Sequence, residues 1–279
     1  MNDLLFNLAW IGVTTALLPA LLLMAATWLV AWRIDNWSIV DVAWSYGFAL
    51  AVALPAAAMP HEVAALVRAE WSTNPVLWLA FATLAWSLRL GTHLAIRVLG
   101  HLDREDGRYV RMREQHGARM PWKMAVFYTQ QALALAILLL PFVSAAADGG
   151  REPAGPVHWL GLLLYVAGMT VESRGDAQLA RFKADPANAG KVCDVGLWAW
   201  TRHPNYLGEC LIWAGFACLS FTPNLLGIPG ALCAVAIWHL VTHVTGIPLT
   251  EAQLLRSKGA AYADYQRRVP ALWPRPPRS

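Results

Sequence analysis

Charge is what this sequence has least of. Only 14% of its 279 residues are Asp, Glu, Lys or Arg, against roughly 25% in soluble domains, which excludes a water-facing surface over most of the chain. Cysteine is scarce too. Cys193, Cys210, Cys218 and Cys233 show no CxxC or zinc spacing, so they read as reduced packing residues rather than a disulfide framework or metal ribbon. No GxGxxG follows a strand pattern, and neither a P-loop nor a GxSxG occurs, so any nucleotide must bind without a Rossmann or P-loop domain. His239 and His243 stand four apart, but the Glu of an HExxH motif is missing; no metal is expected. There is no linker-rich stretch, low-complexity segment or internal repeat. A single membrane domain over 1–279 is the simplest organisation. The N-terminus lacks a basic region and its apolar run is too long for an h-region, so no cleavable signal peptide is expected.

What is present is apolar length: 57% hydrophobic residues and a mean hydropathy of +0.40. Runs able to cross a hydrocarbon core of about 30 Å lie at about Leu4–Trp32, Trp37–Met59, Pro75–Gly100, Met124–Ala147, Val157–Val171, Tyr206–Phe221 and Leu225–Ile247. The fifth and sixth are shorter and each joins a polar helical segment. The pattern predicts an all-α polytopic bundle of about seven transmembrane helices. With the N-terminus outside and the C-terminus cytoplasmic, eighteen Lys and Arg fall on inner segments and two, Arg68 and Arg151, on outer ones, as the positive-inside rule requires. The net charge of +4 and pI near 9.0 then reflect inner loops meeting anionic membrane lipid. No nucleic-acid partner is needed, and no obligate protein partner is implied.

Charged residues inside apolar runs are costly unless they face the bundle interior. Asp41 lies just over one turn into the second run, and Arg89, His93 and Arg97 recur every four residues in the third, making one stripe. Asp41 is either ion-paired with Arg89 or Arg97, or it lines a lipid-accessible pocket with His93 and Tyr46 and supplies a proton. The richest polar segment runs from Glu172 through Asp176, Arg181, Lys183 and Lys191 to Arg202. Its "ADPANAGK" has turn chemistry, predicting a helix to about Lys183 that bends back before the sixth span. Pro204 suits the first turn of the next helix, where His203, Asn205, Tyr206 and Glu209 of "TRHPNYLGE" crowd the mouth of an apolar run. His239 reads as a packing histidine and His243 as a cofactor contact. Beyond Pro248, Glu251 and the amphipathic "AYADYQRRVPALWPRPP" with Tyr262 either lie on the inner leaflet or close over a bound nucleotide.

These stretches, from "WSIVDVAWSYGF" through "RLGTHLAIR", "REDGRYVRMRE" and "DAQLARFKADPAN" to "RHPNYLGE", "TGIPLTEAQL" and "YADYQRRVPALWP", resemble the steroid 5α-reductase family in its bacterial DUF1295 branch, over nearly the whole chain. The resemblance implies a seven-helix protein of the bacterial inner membrane. It would hold NADPH on its cytoplasmic side, mainly within 172–279, and reduce a carbon–carbon double bond in a lipophilic small molecule. By position it assigns Asp176, Lys183, Asn205, Glu209 and His243 to the cofactor, with Glu172 where the reductases carry Asn. Arg181, Lys183, Lys191 and Arg202 would hold phosphates. The substrate side departs from the family: Asp41 stands near a Gln-Glu pair, and His93 or Leu94 near a Tyr. The alternative is an S-adenosylmethionine-dependent membrane methyltransferase, since such enzymes carry a similar "RHPNYLGE".

Overall fold

The computed structural model describes residues 16–58, 60–148 and 153–276. Leu4 at the start of the first predicted span, together with Met59, Arg151 and Arg278, lies outside the described residues. Every regular element among the described residues is helical. The chain divides into two compact units, one up to Ala154 with Thr222–Gly227, the other Gly155–Phe221 with the chain from Ile228 onward.

The first unit contains α1 (Leu18–Ile34), α2 (Ile39–Ala58), α3 (Pro60–Glu70), α4 (Pro75–Leu99), α5 (Gly107–His116), α6 (Met120–Leu138) and α7 (Leu140–Asp148). Local signals set several boundaries. Asn74 accepts a hydrogen bond from the Val76 N–H at 3.0 Å and Pro75 opens α4, a cap followed by a residue with no N–H to satisfy. Helices α2 and α4 form the main seam of this unit, and α1 packs on α6 and α2. At that seam the Ser87 hydroxyl donates to the Ser45 carbonyl at 2.5 Å and accepts from the Ala49 N–H at 2.9 Å. It thereby enters the backbone ladder of α2 between partners four residues apart. Phe48 stands edge-on to Trp44 and Trp86, with centroids 5.1 and 5.0 Å away.

The second unit contains α8 (Pro156–Ala184), α9 (Pro204–Leu219), α10 (Ile228–His239), a π-helical turn (Leu240–Val244), α11 (Ile247–Lys258) and α12 (Ala260–Arg268). At 29 residues, α8 is about 43 Å long. Its apolar half runs without a break into the polar segment and stops one residue past Lys183. Helices α8 and α9 pack antiparallel on glycine. Gly161, Gly168 and Gly175, spaced by seven residues, face Gly215, Gly208 and Pro204 in turn. A Cβ on Gly208 would come within 2.5 Å of the Glu172 Cβ and 2.8 Å of the Gly168 carbonyl oxygen. Small residues of this kind let two backbones approach closely, a common device of membrane helices.

Among the described residues, four helical stretches are long and apolar enough to cross a membrane: Ile39–Ala58, Pro75–Leu99, Gly107–Asp148 and Leu225–Lys258. Leu18–Ile34 is apolar but shorter.

Candidate functional site

The polar mouth predicted at "TRHPNYLGE" is the head of α9, and the local sequence explains its position. Asp185 accepts from the Ala187 N–H at 2.9 Å and Asn188 donates to the Phe182 carbonyl at 3.1 Å, turning the chain away from α8. The return is pinned to α8 twice: Gln178 accepts from the Leu197 N–H at 2.9 Å, and the Trp198 indole donates to the Gly175 carbonyl at 3.0 Å. Pro204 then opens α9.

The end of the chain straps this head down. The Arg202 N–H donates to the Pro270 carbonyl at 2.9 Å, the Thr201 hydroxyl to Ala271 at 2.9 Å, and the Arg275 N–H back to Trp200 at 3.0 Å. Leu272 is buried against Leu207 and Ile247. Beneath the strap lies one carboxylate with three donors. Glu251 accepts from Arg202 Nε at 2.7 Å, His203 Nε2 at 3.0 Å and Gln266 Nε2 at 2.7 Å. Arg202 is further committed to the main-chain carbonyls of Gln266, at 3.0 Å, and Val269, and Tyr262 is buried beside this pair. A carboxylate only accepts, so His203 carries its proton on Nε2. Burial pulls the His203 imidazole below its ordinary pKa, and the bond to Glu251 offsets this only in part. The ring stacks on Tyr206 at 5.2 Å and 10°, and the Tyr206 hydroxyl meets Thr250 at 2.9 Å.

The other expected cofactor residues take distinct places in the same unit. Glu209 accepts from the Trp213 indole at 2.9 Å, and Glu172 is buried at the glycine seam. The amide oxygen of Asn205 is buried with no donor among the described residues. Asp176 is half-buried, whereas Arg181, Lys183 and Lys191 are exposed; the Lys258 ammonium donates to the Lys191 carbonyl. His243 is exposed in the π-helical turn, hydrogen-bonded to Thr242 at 2.6 Å and stacked on His239 at 5.1 Å. His239, read from sequence as a packing histidine, is itself exposed; four residues before His243, it shares that residue's outward face.

Asp41, Tyr46 and His93 belong to the first unit. Asp41 accepts from Arg108 at 2.6 Å and from the Tyr109 hydroxyl at 3.1 Å, with Arg97 at 3.9 Å. Of the two pairings expected, Arg97 is thus near, but Arg108 holds the short bond. Tyr46 lies flat on Gly91 and its hydroxyl meets Thr92 at 3.0 Å, while the neighbouring His93 is exposed. The same end of the unit carries a second network in which Arg113 spans Glu105 at 3.2 Å and Asp35 at 2.7 Å. Sequence reasoning assigned no role to Arg108, Tyr109, Gln266 or Thr250. Each pairs with a residue 15 to 68 positions away, and no local spacing marks such a pair.

Fold and site therefore define an all-helical protein with membrane-length helices and a buried carboxylate–arginine–histidine centre. The chain belongs to the DUF1295 family, described as proteins of unknown function, whose sequence model matches residues 27–269; the family is steroid 5α-reductase-like. It is 28% identical over 212 residues to the uncharacterized protein C594.04c of Schizosaccharomyces pombe, covering 67% of this chain and 59% of that protein. It is 31% identical over 86 residues to the probable O-methyltransferase ustE of Ustilaginoidea virens, 30% of each chain. The match thus spans less than two thirds of either relative's length. No solved structure matches.

Proposed function

We propose that this protein is a multi-pass reductase of the bacterial inner membrane that uses NADPH to saturate a polarised carbon–carbon double bond in a lipophilic substrate. In this reading the chain crosses seven times with its C-terminus inside, and the head of α9 opens to the cytoplasm. The observation that carries the cofactor assignment is the Asn205 amide oxygen, buried without a donor. Leaving such a group unsatisfied costs about 1–3 kcal/mol, and an amide or amino N–H of a dinucleotide would satisfy it. The other residues assigned to the cofactor by position fit the same group. Arg181, Lys183 and Lys191 are exposed cations suited to phosphates, and Glu172, Asp176 and Glu209 are carboxylates suited to hydroxyls. Arg202 is held by Glu251, so we assign Arg202, Glu251 and Tyr262 to the wall that fixes His203 and Tyr206. His243 contributes from the π-helical turn.

When bound, the dinucleotide supplies a hydride to the β-carbon of the alkene. Reduction also requires a proton at the oxygen on which negative charge develops, the role assigned from sequence to Asp41 or His93 with Tyr46 as relay. Asp41, already accepting from Arg108 and Tyr109, anchors α5 to α2. A second reading, methyl transfer from S-adenosylmethionine, is favoured by the 86-residue similarity to a probable O-methyltransferase.

Equilibrium titration of the purified protein with NADPH, NADH and S-adenosylmethionine separates the two readings. NADPH should bind best, and Asn205→Ala should weaken it about tenfold, as loss of a buried hydrogen bond to a ligand does. Binding of S-adenosylmethionine without NADPH would overturn the reductase assignment.

A further inference from the structure

Two consecutive residues of α11 hold the ring pair at the head of α9. Glu251 accepts from His203 Nε2 at 3.0 Å, and the Thr250 hydroxyl meets that of Tyr206 at 2.9 Å. Between these anchors the rings lie 10° from parallel with centroids 5.2 Å apart. His203 is buried and Tyr206 half-buried, so Tyr206 offers the larger surface to a ligand. Stacking alone leaves a ring free to slide in its own plane; a directional hydrogen bond at the para oxygen stops that motion.

Thr250 is itself placed by the turn before it. Its N–H donates to the Gly246 carbonyl at 3.1 Å, and Gly246 closes the π-helical turn, its own N–H reaching the Leu240 carbonyl at 3.4 Å beside that of Thr245 at 2.8 Å. A Cβ at Gly246 would lie 2.4 Å from the Val241 carbonyl oxygen, so glycine is what lets α11 start so close to that turn. The turn that carries His243 and the first turn of α11 are thus one piece, and Thr250 ties Tyr206 to it.

We propose that Thr250 is a positioning residue of the dinucleotide site, holding the Tyr206 ring in the orientation that meets the nucleotide and fixing it relative to His243. The inference rests on the NADPH reading above and adds to it a residue that acts through Tyr206. Glu251 serves His203 in the same way, but its loss also strands the Arg202 guanidinium, so its effect on binding is inseparable from stability. Thr250 and Tyr206 are uncharged and half-buried, and water can take the place of a hydroxyl lost there.

The test is a double-mutant cycle on NADPH affinity, measured by equilibrium titration of the intact protein in detergent. Thr250→Val should weaken NADPH about fivefold, the cost of ordering one freed side chain on binding, and Thr250→Ser should restore wild-type affinity. Tyr206→Phe keeps the stack and loses the hydroxyl, so adding Thr250→Val to it should cost nothing further. A residue that merely stabilised the fold would add its effect to that of Tyr206→Phe. Unchanged affinity in Thr250→Val, an additive cycle, or failure of Thr250→Ser to restore binding would each overturn this role while wild-type binding of NADPH stands. Absence of NADPH binding in the wild type would overturn the dinucleotide reading and this role together. Should Thr250→Val not fold, Thr250→Ala enters the same cycle with the same expectation.

Discussion

Each unit of the molecule grips one carboxylate with an arginine and further donors, yet the two are built to different depths. In the first, Asp41 has 20% of its side chain exposed and its closest partner Arg108 has 47%. In the second, Glu251 has 14%, Arg202 10% and His203 3%. Water therefore reaches the carboxylate pair of the first unit, whereas that of the second is largely closed to it. The helix seams differ in kind: a buried serine hydroxyl threads α2 to α4, whereas glycines bring α8 and α9 together.

That contrast fixes the size of each mutational effect. Glu251→Ala strands Arg202 and His203 under the strap, and removing one partner of a buried pair costs about 3–5 kcal/mol; thermal unfolding in detergent should show the largest loss of any variant here. A loss no greater than that of an Asp41 variant would erase the difference between the units. Gly208→Ala forces a Cβ onto the backbone and Cβ of α8 and should cost about 1–3 kcal/mol as an overpacked seam, again read by unfolding. Ser87→Ala removes a bond that the α2 backbone can remake within its own ladder, so about 1 kcal/mol is expected. Asp41→Asn should cost less than about 1 kcal/mol, as partly exposed ion pairs do. A larger effect would place Asp41 among the buried centres.

The pH dependence sharpens the same point. His203 has a folded pKa below its unfolded value near 6.5. Below that pH the unfolded chain takes up a proton that the folded chain refuses, so stability falls on acidification and levels off beneath the folded pKa. The melting temperature should drop between pH 7.5 and 5.5, and His203→Gln should flatten that drop. An identical profile in the variant would show that another histidine is responsible.

Much of the fold is legible because it is written locally. The run read at Pro75–Gly100 is the helix Pro75–Leu99, and that at Trp37–Met59 is Ile39–Ala58, since apolar length and the Asn74–Pro75 cap act within one helix. The end of α8 follows from "ADPAN" for the same reason. Longer-range features resisted reading. The seven-residue glycine spacing was visible at Gly161, Gly168 and Gly175, but glycine at that interval gains meaning only when Gly208 and Gly215 on another helix answer it. Arg108 looked like one more basic residue of a loop, because its partner Asp41 is 67 positions away. Arg202 was assigned to phosphate on charge alone, and only folding of the last helices brings Glu251 and two main-chain carbonyls around it.

The strap over α9 also has a bearing on the order in which the protein is made. Every partner of the Arg202 side chain stands at least 49 residues nearer the C-terminus, so the guanidinium leaves the ribosome well before its neutralising carboxylate. The head of α9 must wait, solvated and open, until α11 and α12 have been synthesised and have folded back over it. Maturation of this centre is a late event, and a fusion or cleavage that disturbs residues 269–275 would halt it after the membrane helices are already in place.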